Sequence, residues 1–346
     1  MTNLTNNIKI CVEDILKNIS NKDNQYTIPI FIPHLGCKNE CVFCNQRKIS
    51  GKDSNVTIEE VEKEIQERLN SFKQKRKIQI AFFGGSFTGL SICQQEEYLK
   101  VANKYIKEGL VDSIRISTRP DYISIQILTM LKKYNVKTIE LGVQSMDEEV
   151  LKISKRGHTS LDVIKAARLI NIFGFELGFQ IMVGLPKSNI QKEIYTINKL
   201  LKFNPKQLRI YPVYVLKESK LYDMYLNNEY EPVDLQDAID RVAKIIKECK
   251  KSDVQIIRIG LQSTSDITEN AEGLIGPVSD NFGEYALSKL VLDEIENKIG
   301  NIDLTKGNEL IIICSKRYIS IVVGPKRCNK NYLEKKYNIK IKVIGE

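Results

Sequence analysis

Ile28-Pro29-Ile30-Phe31-Ile32-Pro33-His34-Leu35-Gly36-Cys37-Lys38-Asn39-Glu40-Cys41-Val42-Phe43-Cys44 runs from an apolar, strand-length segment into three cysteines spaced C-x3-C-x2-C. The other five cysteines, Cys11, Cys93, Cys249, Cys314 and Cys328, are scattered singly and read as small core hydrophobes. In a reducing compartment, clustered thiols are metal ligands before they are disulfides. A closed zinc site asks for four ligands, and His34 is the one conceivable fourth. Ferredoxin runs use other spacings and four thiolates per cluster. Three thiolates on a four-iron cluster leave one iron open to a substrate or cofactor, which is an active-site arrangement.

From this loop outward the chain alternates strand-like and helix-like segments. Strands are predicted at 28–33, 78–84, 113–118, 138–143, 175–184 and 207–215, several continuously apolar, as strands buried on both faces should be. Helical patterns lie near 57–74, 92–108, 123–134, 147–153, 160–173 and 189–202. Six βα repeats with short connections imply a parallel sheet with helices outside. Six are too few to close an eight-stranded barrel, so an open, partial (β/α)6 barrel is expected, with ligands at the C-terminal ends of its strands. Beyond it come a helix at 234–251, a further strand at 254–262, loop at 263–280 and a helix at 282–297. A Gly/Asn break then leads to strand 309–314, strand 318–323, helix 326–337 and strand 338–344. A short helical segment is expected at about 8–19. The expected units are an N-terminal extension (1–27), the partial barrel (28–262), and a linker with a small α+β domain (263–346).

Charge is unevenly placed. The 346 residues carry 52 Lys+Arg against 43 Asp+Glu, a net +9. Residues 301–346 alone hold ten basic and four acidic residues, +6 of that total. A basic tail on a near-neutral body suggests a polyanionic partner, RNA before membrane. The longest apolar runs are strand-sized and no secretory signal is visible, so a cytoplasmic location is expected.

The cysteine loop, with an aromatic residue before its last Cys, resembles that of the radical S-adenosylmethionine (SAM) superfamily. The resemblance implies that Cys37, Cys41 and Cys44 hold a [4Fe–4S] cluster whose free iron chelates SAM. An electron would cleave SAM to a 5′-deoxyadenosyl radical that takes hydrogen from substrate, with a flavodoxin or ferredoxin as reductant. Phe82-Phe83-Gly84-Gly85-Ser86-Phe87 looks like the glycine pair whose backbone approaches the SAM amino group; a tight turn needing Gly is the plainer reading. Ser117-Thr118-Arg119-Pro120-Asp121 and Glu140-Leu141-Gly142-Val143-Gln144 end the third and fourth strands. Gln144 resembles the ribose-binding residue of the coproporphyrinogen-oxidase-like branch, and Lys155-Arg156-Gly157-His158 the segment whose Arg meets the SAM carboxylate. Gln180 takes a second SAM-facing position, where that branch often has Asp. Phe43, Gly84, Gly85, Ser117, Gln144, Arg156 and Gln180 are thus the expected cofactor contacts.

FFGGSFTGL, STRPD, ELGVQSMDEEVL, KRGHT, IMVGLP and Tyr211-Pro212-Val213-Tyr214-Val215-Leu216-Lys217 resemble the radical-SAM half of the Elongator catalytic subunit family, which modifies wobble uridines in tRNA. The likeness covers about 28–262. No acetyltransferase domain follows, so carboxymethylation by that route is not expected. Tyr211, Tyr214 and Lys217 face the expected mouth, and Tyr211 and Lys217 are the substrate-facing candidates; packing is the commoner role of a Tyr pair. Asn45, Gln46, Arg47 and Lys48 line the entrance or face solvent. The tail around Gly324-Pro325-Lys326-Arg327 is similar to a KH-type RNA-binding module with a GXXG loop, but lacks the closing Gly. The expected activity is radical-SAM modification of RNA, with tRNA as substrate. Two alternatives are a small metabolite or tetrapyrrole as substrate, and a non-catalytic iron–sulfur or zinc RNA-binding protein. Oligomeric state is not legible.

Overall fold

The structure, a computed structural model, describes residues 7–16, 19, 25–32, 37, 41–44, 56–73, 76–261, 268–269, 271, 273–300, 302 and 309–346. His34, Gly36 and Asn45 to Lys48 lie outside the described residues, as do 263–267, 270 and 272 of the loop and 303–308 of the break before 309. Seven parallel strands form the main sheet in chain order: β2 (Gln25–Ile32), β3 (Lys77–Gly84), β4 (Ser113–Thr118), β5 (Val136–Gln144), β6 (Glu176–Val183), β7 (Gln207–Pro212) and β9 (Gln255–Ile259). Helices fill the crossovers, as parallel pairing requires. The partial-barrel expectation therefore holds with one strand more: 255–259 joins the sheet instead of following it. A separate short antiparallel pair joins β8 (Val215–Leu216) to β10 (Leu274–Ile275).

Register explains the two faces. Ile28 pairs with Ile80, Ile80 with Ile114, Ile116 with Ile139, Leu141 with Phe179 and Ile181 with Ile210, and all are buried beneath the outer helices. On the inner face, Ala81, Arg115 and Thr138 are in register, as are Ser117, Glu140 and Gly178, and Gly142, Gln180 and Arg209. Alternation thus places an apolar layer outside and a polar one inside. The crossover helices start on built caps: Thr57, Ser91 and Thr159 each form a capping box.

Two expectations fail at the ends. Residues 7–11 are a strand, β1 (Asn7–Cys11), followed by a 3-10 turn at Glu13–Leu16, not a helix over 8–19. β1 pairs in parallel with β11 (Glu309–Cys314), which pairs with β12 (Lys340–Gly345). The alternation of Ile8 and Ile10 acquires meaning only through a partner about three hundred residues away. Residues 319–323, expected as strand, are a helix (Ile319–Val323). A parallel connection from β11 to β12 needs a crossover, and that demand overrides the β-branched run Ile319-Ser-Ile-Val-Val. Gly324, at φ 81°, ends this helix, and a second helix, Cys328–Tyr337, completes the crossover. Asn329 Nδ2 donates to the Ser288 carbonyl at 2.9 Å, tying the unit to the helix Phe282–Ile299. No described helix is long and apolar enough to cross a membrane.

Candidate functional site

Cys37, Cys41 and Cys44 follow β2, at the C-terminal end of the sheet. Val42 anchors the loop, buried among Val150, Leu185, Val213, Val215 and Leu221. Its N–H donates to the Ser154 carbonyl at 3.2 Å, and its carbonyl accepts from Leu221 at 2.7 Å. Cys41 is buried, while Cys37 and Cys44 are half-buried. The Cys37 thiol donates to Ser86 Oγ at 3.4 Å, and Cys41 Sγ accepts from Arg156 Nη1 at 3.0 Å.

Arg156 comes from the turn after the helix Glu148–Ile153. Lys155 (φ 49°) and Gly157 (φ 69°), both left-handed, reverse the chain there, and the Arg156 N–H donates to the Leu151 carbonyl at 3.0 Å. Its Nη2 donates to the Gly142 carbonyl at 2.6 Å, and Phe43 lies with its ring centre 5.9 Å from the guanidinium. Gln144 ends β5 with φ 69° beside a register shift, a strained backbone for a non-glycine residue. A Cβ on Gly142 would stand 3.3 Å from Gln144 Nε2 and 3.6 Å from Arg156 Nη2, so that glycine keeps the two side chains close. Gly84 has φ 107°, and the Gly85 N–H donates to the Ile32 carbonyl at 3.0 Å, stitching the glycine pair to β2.

Sequence reasoning thus named residues that the fold brings together: Cys41, Phe43, Gln144 and Arg156 about Gly142, and Cys37 beside Gly85-Ser86. Ser117 and Gln180 sit half-buried on the inner face of β4 and β6. Tyr211 OH accepts from Arg209 Nη1 at 3.3 Å. Lys217 is not brought to them; it is exposed, with its stem over Gly273. Tyr214 is buried, and burial pushes its hydroxyl up to about 12.

The sequence motifs did not point to a charged floor. Glu140 Oε2 accepts from Arg115 Nη1 at 3.3 Å and Arg209 Nε at 2.8 Å, Arg115 also bonds Gln207, and Arg209 lies 5.0 Å over the Phe83 ring. Burial pulls Arg115 down to about 10 despite Glu140, with Arg209 adding to the fall. Burial opposes charge on Arg209 too, but Glu140 and Tyr211 hold it above its ordinary value. The available signal was a charge inside each of three strand-like runs, SIRIST, TIELGV and QLRIYP, since a mid-strand charge in a two-sided sheet needs a partner. Arg119 and His158 lie in the quoted motifs without an expected role. Arg119 grips Asp121 through Nε (3.0 Å) and Nη2 (2.9 Å). His158 is buried; burial, then Arg156 and Arg119, push it down to about 3, so it is neutral.

Ser117 Oγ, Arg119 Nη1, Gln144 Oε1 and Arg156 Nε are buried without a hydrogen-bond partner among the described residues. Each such atom costs about 1–3 kcal/mol. Their gathering at the ends of β4 and β5 marks a place completed by a polar ligand. Three soft thiols beside it suit iron–sulfur ligation. Among the described residues no three ligating side chains converge on one ion; thiolates that bind different irons of a cluster need not do so. The residues present fit a [4Fe–4S] cluster with a polar cofactor over the strand ends.

Comparison with known proteins agrees. A family model for the radical SAM superfamily matches residues 31–200, and one for the Radical_SAM C-terminal domain matches 205–292. A tRNA uridine(34) acetyltransferase of Methanocaldococcus infernus is 31% identical over 190 residues, 48% of this chain. The chain covers 35% of that protein's length. An uncharacterized protein of Methanocaldococcus jannaschii is 30% identical over 238 residues, 65% of this chain and 72% of that one. Among solved structures, the M. infernus Elp3 with an N-terminal deletion has a TM-score of 0.62 and 23% identity, over 82% of this chain and 64% of that one, a likeness of fold.

Proposed function

Because the chain belongs to the radical SAM superfamily, whose enzymes use a [4Fe–4S] cluster and SAM, we propose that it modifies RNA, with tRNA as substrate, in the cytoplasm. The observation that carries the site assignment is Arg156 bridging Cys41 Sγ and the Gly142 carbonyl, with Gln144 beside Gly142, at the strand ends. When bound, the cluster would supply the electron for reductive cleavage of SAM and with it radical chemistry on the substrate. Cys37, Cys41 and Cys44 would hold it. The chain's own share is placement. Gly84 and Gly85 bring backbone close to the cofactor; Ser117, Gln144 and Gln180 offer polar atoms for its ribose and amino groups; Arg156 offers a cation. Val42 and its apolar neighbours keep water from behind the loop. A flavodoxin or ferredoxin donates the electron.

RNA as the substrate is supported by the tRNA uridine relative and by the basic residues of 301–346. The test is anaerobic: reconstitute and reduce the cluster, add SAM, and quantify 5′-deoxyadenosine with and without bulk tRNA. The expected result is product that rises with tRNA and vanishes in Cys41→Ala. Product indifferent to tRNA would move the substrate to small molecules. No product from a verified, reduced cluster would overturn the reading.

A further inference from the structure

Among the buried arginines, Arg156 is the one that donates to a cysteine sulfur. Buried Arg115 shares Glu140 with the half-buried Arg209, and buried Arg119 holds Asp121. Arg156 is only 6% exposed, and among the described residues it meets no carboxylate. Its two formed side-chain hydrogen bonds go to Cys41 Sγ (3.0 Å) and the Gly142 carbonyl (2.6 Å). The pairing is built rather than incidental. The turn that presents Arg156 is set by two left-handed residues, and Ser154 in that same turn accepts from Val42, the residue next to Cys41. Cysteine loop and arginine turn are therefore one hydrogen-bonded unit.

We propose that Arg156, besides offering a cation to the cofactor, sets the reduction potential of the cluster through its hydrogen bond to Cys41. The inference rests on the superfamily reading of the three cysteines. Reduction adds one electron and breaks no bond in the protein. The reduced cluster carries more negative charge on its thiolates, so a donated N–H and a fixed positive charge at one sulfur favour it and raise the potential. Gly142 contributes by holding the second arm of the guanidinium, which fixes the first on sulfur.

The experiment is an anaerobic redox titration of the reconstituted full chain, with dithionite as reductant and redox mediators, followed by the EPR signal of the reduced cluster. Wild type is compared with Arg156→Gln and Arg156→Lys, each checked for four irons per chain and native circular dichroism. Arg156→Gln should disfavour reduction about tenfold, a potential about 59 mV lower for one electron. Arg156→Lys keeps the charge but loses the fork, and should fall between the two. Should Arg156→Gln not fold, Arg156→Lys alone decides, because its potential must lie below wild type. Unchanged potentials in variants with full iron content would overturn the proposal while leaving the superfamily reading intact. Failure of wild type to assemble a four-iron cluster would overturn both, and iron and sulfide analysis tells the two failures apart.

Discussion

Gly84 and His158 show what single positions do for the site. A Cβ on Gly84 would sit 2.4 Å from the Ile32 carbonyl oxygen, a backbone atom of the neighbouring strand. Gly84→Ala should therefore lose on the order of 3 kcal/mol, strain from the positive φ plus the displaced strand, read as a lower urea midpoint of the apo protein. His158 is neutral in the fold, its value held at about 3 against 6.5 unfolded. The unfolded chain thus takes up a proton that the native state refuses. Stability should be complete above pH 6.5 and fall as the pH drops towards 3, with a slope of up to about 1.4 kcal/mol per unit from this group. His158→Gln should flatten the curve between about pH 6.5 and 5, where few carboxylates titrate. Gln144 and Arg156 were legible from motif order at strand ends. The Arg115–Glu140–Arg209 group was not, because a charge in one strand says nothing about which other strand answers it.

At the scale of elements, the order and type of the core βα units were legible, with ends displaced by up to three residues and the expected strand 207–215 divided into Gln207–Pro212 and Val215–Leu216, since each unit carries its own apolar period. The strand Asn7–Cys11 was not; a short run with two isoleucines satisfies several patterns until β11 selects one. Its energetic weight is testable. Ile10 is buried on a strand that covers one edge of the small sheet, so Ile10→Ala should destabilise by about 2–4 kcal/mol. The loss should appear first as faster amide exchange in β11 and β12. The turn between the two C-terminal helices holds Lys326 (φ 52°) and Arg327 (φ 62°) in left-handed conformations. Two consecutive strained basic residues, both exposed, make this turn the first place to look for a nucleic-acid contact.

For the whole molecule, the question is whether the small basic unit brings RNA to the mouth of the barrel. Replacing Lys326, Arg327 and Lys335 by Gln should weaken tRNA binding at low salt. The slope of log affinity against log salt should fall by about 0.7 for each phosphate no longer neutralised, or about 2 for three. An unchanged slope would assign those charges to solvent. The β1 strand ties this unit to the other end of the chain, and the Lys298 ammonium bonds the Cys11 carbonyl at 2.6 Å. Barrel and basic unit are thus packed through the helix Phe282–Ile299. By itself the sequence determined the parallel βα order and the placing of the cysteine loop, the glycine pair and Gln144 at the ends of their strands, because local periodicity and motif spacing carry that information. Only the tertiary structure decided the seventh sheet strand, the helical crossover at 319–323, the partner of residues 7–11 and the pairing of Arg156 with Cys41. Each depends on a contact between segments far apart in the chain, whose free energy exists only once both are in place.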